Sequence, residues 1–121
     1  MHSATQAYGK VARQIATPRE LEANLLLKAA AQLQAVREGW HERQSELNEA
    51  LLFNRKLWTI LASSVTSADS QLSVQIRQNV ANLGLFVMKQ TVAVIGEPHP
   101  DKLRALININ RELAAGLLGR A

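Results

Sequence analysis

The sequence predicts an all-α fold, an up-and-down helical bundle of about four main helices with a short N-terminal helical arm. Apolar residues recur at three- and four-residue spacing along the chain, strand-like alternation is absent, and the 6 glycines and 3 prolines fall mostly at expected boundaries. A chain of 121 residues supports one core. Residues 1–121 are therefore read as a single helical domain, with 1–16 as the arm and 17–118 as the bundle.

The arm is a short helix near Ser3–Gln14, with Tyr8, Val11 and Ile15 on one face and Gly9 weakening it. The second helix opens at TPRE, where Thr17 is placed to cap, Pro18 suits the first helical position and Glu20 completes a capping box. Leu21, Leu25, Ala29, Leu33, Val36 and Trp40 form its stripe, the alanines at 29–31 permit a close neighbour, and Gly39 ends or bends it. The third, about Ser45–Val65, carries Leu47, Leu51, Asn54, Trp58, Leu61 and Val65 at 4-3-4-3-4 spacing. Ala50, Phe53, Leu57 and Ile60 form a second stripe beside it, and two adjacent stripes mark a central helix. After the loop SVTSADSQLS comes the fourth, about Ser73–Ile95, with Leu72, Ile76, Asn79, Leu83, Phe86 and Gln90 as its seam and Val80, Val87 and Val94 alongside. Gly96 and Pro98 close it. EPHPD then connects to the fifth, about Pro100–Leu118, which buries Leu103, Leu106, Leu113 and Leu117 with Asn110 between them.

Composition argues against most catalytic classes. With no cysteine there is no disulfide, thiolate or zinc-ribbon chemistry. His2, His41 and His99 stand far apart at a terminus, a helix end and a loop, and are read as surface residues without metal-ligand spacing. Asp69 and Asp101 sit at expected helix starts, where capping accounts for them. No phosphate-cradling glycine loop and no nucleophile elbow is present. No enzyme activity, cofactor or metal is expected. The start MHSATQAYGK lacks the charged opening and apolar run of a signal peptide. LGLFVM and TVAVIG, split by Lys89 and Gln90, fall short of the roughly 18 apolar residues that span a bilayer. A soluble, cytoplasmic protein without membrane contact is expected. The net charge of +4 raises the prior for an acidic partner, but the 14 cations are scattered, so a direct nucleic-acid face is not expected.

Asn54, Asn79 and Asn110 each interrupt an apolar seam. A buried amide without partners costs roughly 1–3 kcal/mol. Either the amides form an internal network that fixes the bundle's register, or they line an open apolar groove and bond the backbone of an incoming segment. Arg55 and Lys56 fall with Thr59 on a narrow polar strip, read as a solvated face or, for Arg55, as an anchor for a partner.

In order along the chain, Ala7-Tyr8, TPRELEANLLLKAAAQLQAV at 17–36, LNEALLFNRKLWTIL at 47–61, IRQNVANLGLFV at 76–87 and KLRALININRELAAGL at 102–117 closely resemble the flagellar biosynthesis regulator FlaF family of alphaproteobacteria. The match covers nearly the whole chain; its specificity lies in the ordered set rather than in any one motif. One departure is Ser73, where members often show proline. The resemblance implies a cytoplasmic, non-enzymatic protein required for flagellin production and filament assembly, a flagellin-binding secretion chaperone. It also implies that the protein works alongside the regulator FlbT and the flagellar export apparatus.

Three functions follow for comparison. A flagellin chaperone needs an apolar groove, with binding that survives moderate salt. An RNA-linked regulator of flagellin expression needs a contiguous cationic face and affinity that falls by roughly one log unit per charge contact per decade of salt. A scaffold or homo-oligomer needs apolar seams that meet between copies, whereas the chaperone fits a monomer or weak homo-oligomer. The candidate partner-binding residues are Asn54, Arg55, Trp58, Asn79, Asn82 and Arg111, which occupy distinctive parts of the matched segments and include groups able to bind a peptide backbone or carboxylate. A tryptophan in the position of Trp58 is more often core than contact.

Overall fold

Thr17 opens the first long helix as its sequence requires: its backbone is extended and its hydroxyl accepts the Glu20 backbone N–H at 3.1 Å, with Pro18 in the first turn. The computed structural model describes residues 17–67, 70 and 72–120. The expected arm at Ser3–Gln14 and Asp69 lie outside the described residues. Four long helices carry the described chain: α1 (Pro18–Glu38), α3 (Leu47–Thr66), α4 (Val74–Gly96) and α5 (Leu103–Leu117). Gly39 closes α1 and its N–H returns to Ala35 O. A one-turn helix α2 (Trp40–Arg43) and a 3-10 turn (Gln44–Glu46), neither expected, then lead into α3. Ser73 caps α4 by accepting the Ile76 N–H at 3.2 Å, so this helix starts on a side-chain hydroxyl. Before α5, a 3-10 turn (Pro100–Lys102) is capped by His99 Nδ1, which accepts the Asp101 N–H at 3.1 Å. The cap expected of Asp101 is thus supplied by His99, one turn-start earlier.

α1 lies between α5 and α3, and α4 packs mainly on the far side of α3. α3 runs antiparallel to α1: Ser64 donates to Glu22 at 3.2 Å near one end, while Val36 and Glu46 border a shared cleft at the other. The expected α3 seam is fully buried, from Leu47 through Leu51, Asn54, Trp58 and Leu61 to Val65. On the second stripe Ala50 and Leu57 are buried and Phe53 half-buried, but Ile60 is exposed because no helix among the described residues covers that side of α3.

Two stripes are rotated from expectation. In α1 the buried line is Ala23, Leu26, Ala29, Ala30, Leu33 and Val36, while Leu21 and Leu25 are exposed. Leucines abound on both lines, and the alanine-bearing one admits the closer neighbours. In α4 the buried line is Val80, Gly84, Val87, Thr91 and Val94, whereas Ile76, Asn79 and Phe86 are exposed. Short side chains face the bulk of Trp58: a Cβ on Gly84 would lie 3.8 Å from Trp58 Cε3. Thr91 is satisfied within its own helix, its hydroxyl donating to Val87 O at 2.7 Å. Among the described residues, no helix is long and apolar enough to cross a membrane.

Candidate binding surfaces

Two of the three seam amides, Asn54 and Asn110, meet at the centre of the bundle. Asn110 Oδ1 accepts the Trp58 indole N–H at 2.9 Å, and Asn110 Nδ2 donates to Asn54 Oδ1 at 2.7 Å and to Leu26 O at 3.4 Å. All three side chains have 0% exposure. This polar knot ties α1, α3 and α5 through one residue of α5, so the internal-network alternative holds for Asn54 and Asn110. Asn54 and Trp58 present no surface to a partner in this fold. Asn54 Nδ2 finds no acceptor among the described residues.

The other four candidate residues are exposed and scattered. Arg55 and Lys56 face solvent from α3, as their position off the seam requires, and the Thr59 hydroxyl donates back to Arg55 O at 3.0 Å. Asn79 is not on a buried seam; it sits on the exposed side of α4. Asn82, also exposed, accepts from Gln78 Nε2 at 3.1 Å one turn away. Arg111 projects from the outer side of α5. The structure does not gather these four into one site.

What it does expose is an apolar face that the seam analysis missed. Leu85, Met88, Val92 and Ile95 recur at 3-4-3 spacing along α4. Leu85 is 65% exposed, Val92 69% and Ile95 57%, with Met88 half-buried. At the Ile95 end a shallow hollow of about 240 Å³ opens between the helices, lined by Asn48, Leu51, Leu52 and Arg55 of α3 and by Thr91 and Ile95 of α4. The signal was present in the sequence: outside a polar sector of Gln75, Gln78, Asn79, Asn82 and Lys89, α4 carries more apolar positions than one packing partner can cover.

The model of the family of the flagellar protein FlaF matches residues 4–117. The chain belongs to the FlaF family. It is therefore a flagellar-system protein, and the five segments singled out from its sequence fall in or along this matched span. No curated protein and no solved structure matches the chain. A second concavity of this FlaF-family chain, about 580 Å³, lies between α1 and the start of α3. Its walls mix Lys28, Arg43, Glu46 and Glu49 with Ala35, Ala50 and Phe53, and Lys28 Nζ sits 5.5 Å from the Phe53 ring centroid. Charges of both signs and a lysine over its one aromatic wall make it a more polar cleft than the α4 face.

Proposed function

We propose that this FlaF-family chain is a non-enzymatic, cytoplasmic flagellin-binding chaperone that holds the apolar, helix-forming ends of unassembled flagellin and couples flagellin synthesis and export to filament assembly. The observation that carries this is the solvent-exposed apolar row on α4, supported by the family's place in the flagellar system. An isolated soluble domain keeps such a row at a cost in solubility, and burying it against a helix recovers about 25 cal/mol for each Å² of apolar area removed from water. Segments that are disordered until bound, as the ends of unassembled flagellin are, suit a surface that orders them on contact. FlbT and the export apparatus are the further partners this role implies. Calorimetric titration with monomeric flagellin at two salt concentrations tests it. Saturable binding with a negative heat-capacity change and weak salt dependence is expected. No heat of binding at tens of micromolar, with a transcript bound instead in a steeply salt-dependent way, would replace it with an RNA-linked role.

A further inference from the structure

Deepening the flagellin reading and resting on it, we infer that the outer face of α3 and α4 is a docking groove for one amphipathic helix whose apolar stripe is flanked by carboxylates. Leu85, Met88, Val92 and Ile95 form the floor along α4, and Leu52 with the hollow at Ile95 forms the α3 side. A 3-4-3 row matches the stripe of a second helix laid alongside it.

Charge selects the occupant. From Ala50 to Gly96 the chain carries Arg55, Lys56, Arg77 and Lys89 against the single acid Asp69. Arg55 borders the hollow itself, and Lys89 stands one turn from Leu85 and beside Met88. Among the described residues, neither cation has an ion-pair partner. The nearby carboxylates point to other neighbours: exposed Glu97 lies 3.8 Å from Lys102 Nζ, and Glu49 lines the cleft toward α1. A second copy meeting this face with its own would set cation against cation. Residues 1–16, with Lys10 and Arg13 and no carboxylate, are equally mismatched. An acidic-flanked helix is complementary in both apolar and charged parts.

The test titrates the full chain, followed by amide NMR, with two designed helical peptides that share one Leu/Val stripe and differ only in Glu or Lys flanks. The Glu peptide is expected to shift Leu52, Arg55 and the Leu85–Ile95 amides and to bind at least ~10-fold tighter than the Lys peptide. Val92→Asp should weaken it by ~10-fold or more, and Arg55→Glu should narrow or reverse the preference, with thermal melts unchanged because both side chains are exposed. Equal binding of the two peptides, no binding at millimolar concentration, or shifts centred on Phe53 and Glu49 would overturn the inference. So would a dimer in light scattering that Val92→Asp dissolves, since a second copy would then own the face. Flagellin separates the two levels. Binding of the Glu peptide without binding of flagellin refutes the flagellin reading alone, whereas flagellin bound equally by wild type and Val92→Asp overturns the groove alone.

Discussion

Asn110 is the residue on which the interior depends. It satisfies the Trp58 indole N–H and Asn54 Oδ1 at once, so Asn110→Leu strands both inside an apolar core. We expect a loss of about 2–4 kcal/mol of stability, read as a fall in the urea midpoint. Asn54→Leu is expected to be far milder, about 1 kcal/mol or less, because it also removes a buried N–H that has no acceptor among the described residues. Equal losses in the two variants would mean that the knot is not organised around Asn110. Spacing alone placed Asn54 and Asn110 on seams, but it could not distinguish a closed knot from an open groove. That distinction depends on which helix comes to lie opposite, and Leu26 O and Trp58 reach Asn110 only through tertiary packing.

At the scale of the helix, boundaries were legible where chemistry fixes them and rotation was not. Thr17, Gly39 and Ser73 each mark an end with a specific hydrogen bond or backbone turn. α4 has apolar residues on nearly every side, so its sequence supports several seams, and the choice falls to its neighbour: Trp58 accepts the line containing Gly84. The same contact yields a prediction. A Cβ at Gly84 would meet Trp58 at an ordinary 3.8 Å, so Gly84→Ala removes the helix-interior penalty of glycine without a clash. It should stabilise the protein by about 0.5–1 kcal/mol, raising the thermal midpoint. Destabilisation instead would mean that α3 and α4 lie closer than described. Ser73→Ala should cost about 1 kcal/mol, with the loss confined to the first turns of α4 in hydrogen exchange.

Across the whole molecule, the polar knot is shut inside while an apolar, cation-edged face is left outside on the helix that packs mainly on one neighbour. Family membership was legible from five ordered segments, all of which lie within the span that the family model matches. The exposed α4 row was legible only as a surplus of apolar positions, because which of them face outward follows from α4 packing mainly on α3 among the described residues. A groove with few cations also sets the salt response. Flagellin affinity should fall less than ~10-fold for a tenfold rise in salt, against a loss on the order of 10⁵-fold for an RNA face making six phosphate contacts. The most direct measurement compares the flagellin affinity of Asn54→Leu with that of Val92→Asp, each checked for folding. The inner amide is expected to matter little, within about twofold of wild type, and the outer valine to matter by ~10-fold or more. Weakened binding in Asn54→Leu with Val92→Asp unaffected would contradict a closed core that presents its partner surface on α4, and no flagellin binding by the wild-type chain would contradict the flagellin reading.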